Sequence, residues 1–205
     1  MENQSTSTLT LMFTDIEGST ALLRAAGDRY ADLLDRHRAI IRSAVADHDG
    51  IERDTQGDSF FMTFHNPSAA LAAALTAQRL LFNEPWPDGL APRVRIGLHL
   101  GEATETREGP VGLAVHQAAR IAASAHGGQI VLSDVVRLAT AQLPPDTSVT
   151  SLGQFRIRDV GWQRQSGRRR RHRLAVGRSL SAPAVDVPRR HQPLPNARDH
   201  ARVRA

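Results

Sequence analysis

Two aspartates stand where the chain is expected to turn. Asp15 ends an alternating apolar run, and Asp58 lies in a Gln56-Gly57-Asp58 turn between two short apolar segments. Paired carboxylates on turns suit Mg²⁺ or Mn²⁺, which prefer oxygen ligands and are commonly shared with substrate phosphates. Asp is also a frequent turn residue with no further role. The sequence therefore leaves a divalent metal site and a purely structural role open side by side.

The residues directly after Asp15 favour the metal interpretation. Gly18, Ser19 and Thr20 interrupt the strand pattern and can begin a helix. The free N–H groups at the start of a helix attract phosphate. A phosphate-bearing ligand is therefore expected beside the two carboxylates.

A second pair of chemically capable residues lies on a helix of small side chains. His116 and Arg120 are four positions apart, so both project from the same side of the helix predicted from Gly112. A guanidinium held there can stabilise charge on a phosphate during transfer. The alternative is a surface arginine beside a half-buried histidine, and the pattern alone does not decide between the two.

The elements that position these residues alternate between strand and helix periodicity. The order predicts an α+β fold, a ferredoxin-like βαββαβ sheet with helices packed on one face. In that topology the first strand and the hairpin strands are neighbours, so Asp15 and Asp58 converge although they are far apart in sequence. Strands are predicted at 8–15, 51–54, 59–64, 93–102 and 129–133, helices at 28–48, 67–82, 112–125 and 134–142, and a terminal hairpin at 149–160.

Composition excludes several kinds of chemistry. The 205 residues contain 26 basic side chains, every one of them Arg, and no Cys. Without Lys there is no Walker phosphate loop and no Schiff-base chemistry. Without Cys there are no disulfides or thiolate zinc sites, which fits a reducing compartment. Residues 1–8 are polar and no apolar stretch is long enough to span a membrane, so a soluble cytoplasmic protein is expected.

Charge is distributed unevenly along the chain. Residues 1–162 hold fourteen Arg against nineteen acids, whereas residues 163–205 hold twelve Arg against two acids and contain no aromatic side chain. The sequence therefore predicts a disordered segment at 1–7, a folded domain at 8–162 and a disordered Arg/Pro-rich tail at 163–205. Such a tail contacts nucleic acid only through non-specific phosphate interactions.

Three runs of residues match one known family. The runs FTDIEGST at 13–20, DTQGDSFF at 54–61 and GLAVHQAAR at 112–120 resemble the class III adenylyl/guanylyl cyclase catalytic domain. The closest likeness is to the actinobacterial type often fused to ATPase and LuxR-type modules. The resemblance covers about residues 7–161, and three motifs in the same order make it specific.

The resemblance implies a reaction and a set of roles. The ribose 3′-hydroxyl of a nucleoside triphosphate attacks the α-phosphate and pyrophosphate leaves, with two divalent metal ions, Mg²⁺ or Mn²⁺, as cofactors. By motif position, Asp15, Asp58 and the Ile16 carbonyl resemble the metal ligands, and Arg120 resembles the cation that stabilises the transition state. Members of the family act as head-to-tail dimers, so Arg120 would face the two aspartates of a partner chain. The partner would be a second copy or another cyclase chain.

Three positions depart from the active pattern of the family. Asp54 stands where adenylyl cyclases carry the Lys that contacts the purine. The second purine-reading position falls near Gly109, and His116 replaces the Asn that orients the ribose. His116 still offers a hydrogen bond but with a different reach. In related chains a closing strand follows the last hairpin, and the composition change at about Trp162 predicts that this strand is missing here.

These observations leave three functions open. The first is a purine nucleotide cyclase, with ATP favoured over GTP and with low activity. The second is a catalytically silent cyclase-like domain that binds nucleotide or a partner cyclase. The third is a nucleic-acid-binding protein that acts through the basic tail.

Overall fold

This computed structural model describes residues 5–143, 147–155 and 172–179. Its strands form one mixed sheet. Within these residues the strand order is β2-β3-β1-β4-β6-β8-β7, and β5 pairs with the end of β4. Neighbours are antiparallel except β4 and β6, which are parallel. The strands are β1 (Thr6–Ile16), β2 (Ile51–Gln56), β3 (Ser59–Phe64), β4 (Val94–Thr106), β5 (Gly109–Val111), β6 (Ile130–Ser133), β7 (Thr147–Phe155) and β8 (His172–Ser179).

Five α-helices connect the strands in the described ranges. Two short 3-10 helices, Gly27–Arg29 and Pro87–Gly89, complete the order. The start of α3 follows helix-capping rules, because Asn66 Oδ1 accepts a hydrogen bond from Ser68 N at 2.8 Å and Pro67 takes the first helical position. The helices are α1 (Ser19–Ala26), α2 (Tyr30–Ala46), α3 (Pro67–Asn83), α4 (Leu113–Ala123) and α5 (Asp134–Ala139).

The larger core lies between one face of the sheet and the helices α2 and α3. It is built from alternate strand residues such as Met12, Phe60 and Ile96, packed against apolar helix residues such as Ile41 and Leu71. All five of these side chains are buried. The mixed α/β fold expected from the sequence is therefore confirmed.

Helix α4 packs on the opposite face of the sheet, so the expectation of helices on one face only is wrong for this helix. Its Ala114 and Ala118 contact Leu9 and Leu11, which point away from the larger core. Gly97 of β4 permits the close approach, because a Cβ at that position would stand 2.2 Å from the Ala122 backbone nitrogen. The small residues noted in the sequence on this helix therefore serve a tight contact between helix and sheet.

The strand β8 lies inside the segment predicted to be a disordered tail. It is antiparallel to β6 on one side and to β7 on the other, and Ala175 is 2% exposed. The predicted boundary at 162 and the predicted loss of the closing strand are therefore wrong for these eight residues. The strand contains a short apolar run at 174–176, and its backbone supplies the hydrogen bonds of the ladder. The Arg-rich composition averaged over the whole tail concealed this run. The second arm of the predicted hairpin, 156–160, and the remainder of the tail fall outside the described residues.

The expected N-terminal boundary is close to the observed one. Strand β1 begins at Thr6, two residues before the predicted start, and residues 1–4 fall outside the described part of the chain. Of the helices that the structure describes, none combines the length and apolar character needed to cross a membrane.

Candidate active site

Asp15 and Asp58 meet at one end of the sheet. Asp58 Oδ2 accepts a hydrogen bond from the backbone N–H of Ile16 at 3.2 Å. In return, Ser59 Oγ donates to Asp15 Oδ1 at 2.9 Å. Each aspartate thus forms a hydrogen bond with the residue next to the other aspartate. The two bonds join residues that are 42 and 44 positions apart in the sequence. The convergence expected from the topology is observed.

Arg95 completes a row of three side chains across the sheet. It is the direct cross-strand partner of Asp15 in the pairing of β1 with β4. Its Nε donates to Asp15 Oδ2 at 2.9 Å, and its Nη2 contacts the same oxygen. Ser59, Asp15 and Arg95 therefore lie side by side on one face, because directly paired residues of neighbouring strands share a face.

The next row across the sheet contains a stacked aromatic pair. Phe13 and Phe61 are cross-strand partners whose ring centroids are 4.5 Å apart at an interplanar angle of 7°. Asp54 pairs with Phe61 on the outer side of this row, and Gly97 pairs with Phe13 on the inner side. The Asp15 row therefore has a flat aromatic surface next to it, and that surface ends at an exposed carboxylate.

Helix α2 fixes the turn that carries Asp58. Arg38 donates from both Nε (3.2 Å) and Nη2 (2.7 Å) to the carbonyl oxygen of Gly57. Gly57 has a φ of 62°, which glycine adopts without strain. Burial and the charge of Asp58 raise the pKa of the Tyr30 hydroxyl, against an opposing effect of Arg38.

The segment after Asp15 is tied to the loop that follows α4. Glu17 accepts hydrogen bonds from Gly127 N at 3.1 Å and from the ring Nδ1 of His126 at 3.2 Å. Burial opposes the ionisation of Glu17, yet these bonds and the charge of Arg93 hold its pKa below the ordinary value. This pairing joins the carboxylate end of the sheet to the C-terminal end of α4.

The residues predicted to contact phosphate begin α1. Gly18 takes the N-cap position in the left-handed region (φ 71°), and no side chain caps this helix. Its carbonyl accepts from Ala21 N at 2.8 Å, so Ser19 and Thr20 form the first turn directly beside Asp15 and Ile16. The position of this turn agrees with a phosphate-binding role for its backbone N–H groups.

His116 and Arg120 both lie on the exposed side of α4. The buried residues of the same helix, Ala114, Ala118 and Ala122, pack against the sheet. The helix approaches β4 at Gly97, the row next to Asp15. One chain thus carries a carboxylate pair at the sheet end and a histidine–arginine pair on the outer face of α4.

The two candidate base-reading positions lie on the β2–β3 hairpin and beside the end of β4. The Asp54 carboxylate accepts from Thr55 N at 2.9 Å and from Gln56 Nε2 at 3.0 Å, and the side chain is exposed. Gly109 pairs with Thr106 at the end of β4. Arg53, the residue before Asp54, forms an ion pair with Glu105 at 2.6 Å, so the segment that carries Asp54 is linked to this end of β4.

The side chains at the sheet end fit divalent metal ions. The donors offered by Asp15, Asp58 and the Ile16 backbone are all oxygen atoms, which Mg²⁺ and Mn²⁺ prefer. In the ranges that the structure covers, no group of three or more His, Cys, Asp or Glu side chains is arranged as a metal cage. A pair of carboxylates without further side-chain ligands suits Mg²⁺, which is usually bound by one or two carboxylates together with waters and substrate phosphates.

Sequence reasoning missed Arg95, which binds Asp15, and Arg38, which binds the Gly57 carbonyl beside Asp58. Arg95 stands between Val94 and Ile96, both buried, so its place on the other face of β4 follows from strand alternation. That signal marks a charged side chain facing away from the larger core. Its contact with Asp15 requires the register of β1 and β4, which the sequence does not supply.

The fold is that of a known class of domain. A solved adenylate cyclase from Trypanosoma brucei superimposes with a TM-score of 0.72 and 24% identity, covering 86% of this chain and 90% of that one. The sequence model of the adenylate and guanylate cyclase catalytic domain matches residues 1–170. The chain belongs to this family, and the resemblance found in the three motif runs is confirmed.

Curated relatives extend the comparison. An uncharacterized protein of Mycobacterium tuberculosis is 36% identical over 159 residues, which cover 76% of this chain and 53% of that protein. An adenylate cyclase of Lachancea kluyveri is 31% identical over 153 residues, which cover 62% of this chain and 8% of that protein. The chain thus spans about half the length of the mycobacterial relative that it matches.

Proposed function

We propose that this chain is a catalytic domain that converts a nucleoside triphosphate into its 3′,5′-cyclic monophosphate and pyrophosphate. The observation that carries the proposal is the meeting of Asp15 and Asp58, held by Ile16 N and Ser59 Oγ. Membership in the cyclase catalytic domain family supports the same reaction.

In this proposal the two carboxylates and the Ile16 carbonyl hold two divalent ions, Mg²⁺ or Mn²⁺. When bound, such ions favour the ionised 3′-oxygen and neutralise the triphosphate. Asp15 and Asp58 contribute carboxylate oxygens that are fixed in place before the substrate arrives. Preorganisation of this kind removes the cost of reorienting the carboxylates during the reaction.

The remaining residues orient the nucleotide. The first turn of α1, from Gly18 to Thr20, offers backbone N–H groups to the triphosphate. Arg120 stabilises the charge that develops on the α-phosphate, and His116 donates a hydrogen bond near the ribose. Both side chains are exposed on α4. A head-to-tail pair of chains, formed with a second copy or with another cyclase chain, brings them to the aspartates of the partner.

Asp54 governs the choice of base in this proposal. An ionised carboxylate only accepts hydrogen bonds, so it binds the exocyclic amine of adenine or the N1–H and amine of guanine. We place ATP before GTP because the curated Lachancea kluyveri relative is an adenylate cyclase. Where a carboxylate replaces a donor, binding of the base loses about 1–3 kcal/mol for each lost hydrogen bond. We therefore expect weak discrimination between adenine and guanine and low turnover.

The test is direct detection of the cyclic product. Purified protein is incubated with Mn²⁺ and either ATP or GTP, and cyclic nucleotide and pyrophosphate are separated by chromatography. Cyclic nucleotide and pyrophosphate formed in equal amounts, at a rate that rises with dimer formation, support the proposal. Nucleotide binding without any cyclic product at high protein concentration would instead establish the silent, nucleotide-binding alternative.

A further inference from the structure

We propose that Arg95 is a resident counter-cation of Asp15 and that a divalent ion must displace it to bind. The inference rests on the proposed metal site, and it makes Arg95 a positioning residue that sets the affinity for metal. It also makes metal loading dependent on the presence of a triphosphate.

The contacts of Asp15 show what an arriving ion meets. Oδ2 accepts from Arg95 Nε at 2.9 Å and also contacts Nη2, while Oδ1 accepts from Ser59 Oγ at 2.9 Å. Both oxygens therefore have donors within the chain. A metal ion at Oδ2 has to share that oxygen with a guanidinium or take it over.

The ion pair is sheltered enough for its charge to matter. The side chains of Arg95 and Asp15 are 28% and 26% exposed, so water screens the pair less than it screens a fully exposed one. A fixed positive charge on the same carboxylate repels a divalent cation and lowers the local negative potential. Arg95 therefore keeps the Asp15 carboxylate oriented, but it also weakens the attraction of Asp15 for metal.

The Arg95 side chain cannot rotate away from Asp15 without breaking this ion pair. It is the direct cross-strand partner of Asp15, and its backbone is part of the central pairing of β1 with β4. A triphosphate supplies negative charge that compensates both the metal and the displaced guanidinium. The penalty imposed by Arg95 is therefore largest for metal alone and smaller for metal with nucleotide.

The experiment measures Mn²⁺ binding by the electron paramagnetic resonance signal of free Mn²⁺, with and without a non-cyclisable ATP analogue. Arg95→Gln removes the charge and keeps a hydrogen-bonding side chain. Arg53→Gln is the matched control, since Arg53 forms a similar ion pair with Glu105 (2.6 Å) elsewhere on the sheet. In the absence of the analogue, we expect Arg95→Gln to bind Mn²⁺ about tenfold more tightly than wild type. This factor corresponds to the loss of one charge-assisted hydrogen bond between the Arg95 guanidinium and Asp15. With the analogue present the gain should shrink to about threefold or less.

The outcomes separate this inference from the proposed function. If wild type takes up Mn²⁺ in the presence of the analogue and Arg95→Gln binds Mn²⁺ no more tightly, the role of Arg95 is refuted and the metal site stands. If neither protein takes up Mn²⁺ even with the analogue, the proposed function itself fails. An equal gain in Arg53→Gln would show a general charge effect and would also refute the specific role of Arg95.

A second measurement follows Arg95 in the wild-type chain, and a variant serves only to assign its resonance. In ¹⁵N-labelled protein the Arg95 Nε–H resonance, assigned by its absence in Arg95→Lys, reports the hydrogen bond to Asp15. Saturating Mg²⁺ with the ATP analogue should shift this resonance toward that of an unpaired guanidinium. A resonance that stays in place while Mg²⁺ binds would overturn the proposal.

Discussion

The carboxylate of Asp58 accepts its hydrogen bond from the Ile16 N–H, so the turn between β2 and β3 is fixed to the end of β1. This contact places both aspartates of the proposed metal site at one end of the sheet before any ligand binds. Because the donor is a backbone group, the contact does not depend on the identity of the Ile16 side chain.

Asp58→Asn is therefore expected to fold and to lose activity. The amide oxygen of Asn can still accept from Ile16 N–H, but the side chain no longer carries the charge that attracts a divalent ion. We expect cyclic-product formation to fall at least about 100-fold, while the thermal midpoint changes little. A loss of the folded state in thermal denaturation would instead assign Asp58 a structural role.

Arg38 is expected to affect activity without touching substrate. Its guanidinium holds the Gly57 carbonyl next to Asp58, so Arg38→Ala should loosen that turn. A displaced carboxylate should lower kcat/KM about tenfold. The matched control is Arg36→Ala, which removes another α2 guanidinium that binds Glu84 (2.7 Å) and not the turn. Equal kcat/KM values for the two variants in steady-state assays would contradict this role.

Gly97 is expected to tolerate no side chain. In Gly97→Ala the new Cβ would lie 2.2 Å from Ala122 N and 2.5 Å from Ala122 Cα, so α4 would have to move. We expect a loss of about 1–3 kcal/mol in the free energy of unfolding, measured by urea titration. Because His116 and Arg120 move with α4, product formation should fall further than Mn²⁺ binding does. An unchanged urea midpoint would show that α4 adjusts without cost.

Periodicity predicted most of the fold because each element presents one apolar face to a core. The strand ending at Asp15, the hairpin of β2 and β3, and α3 from Pro67 were all expected within a few residues. The side of the sheet on which α4 packs was not predictable in this way. That choice depends on the contact of Gly97 with Ala122, whereas helix periodicity shows only that a helix has an apolar side. Strand β8 was missed because composition was averaged over a long basic segment.

The site was predictable to the extent that its residues belong to local motifs. The topology brought Asp15 and Asp58 together as expected, since β1 and β3 are neighbours. The roles of Arg95 and Arg38 were not visible in the sequence. Their contacts depend on register between strands and on how α2 lies over the turn, and both are set by packing between distant segments.

His37 is expected to make stability depend on pH. It is fully buried beside Phe60, and within the described residues neither ring nitrogen has a hydrogen-bond partner. Burial first, and the charge of Arg38 second, lower its pKa from 6.5 to about 4, against an opposing effect of Asp15. The unfolded chain therefore takes up a proton below about pH 6.5 that the folded chain refuses until about pH 4.

The free energy of unfolding should consequently be complete above pH 6.5 and decline by about 3 kcal/mol as the pH falls to 4. His37→Leu should remove this part of the pH dependence and, by deleting two unpartnered nitrogens, raise stability at pH 7 by about 1 kcal/mol. The control is His65→Leu, which removes an exposed histidine instead of the buried one. Chemical denaturation at each pH gives the comparison, and parallel profiles for wild type and His37→Leu would contradict the assignment.

The most direct test of the account is Mn²⁺ binding by the intact chain, by Asp15→Asn and by Asp58→Asn, measured with a non-cyclisable ATP analogue present. We predict that wild type depletes the signal of free Mn²⁺ and that each variant loses most of this uptake while remaining folded. If all three proteins bind Mn²⁺ equally, or if wild type binds none, the two aspartates do not form a metal site and the proposed reaction has no basis in this fold.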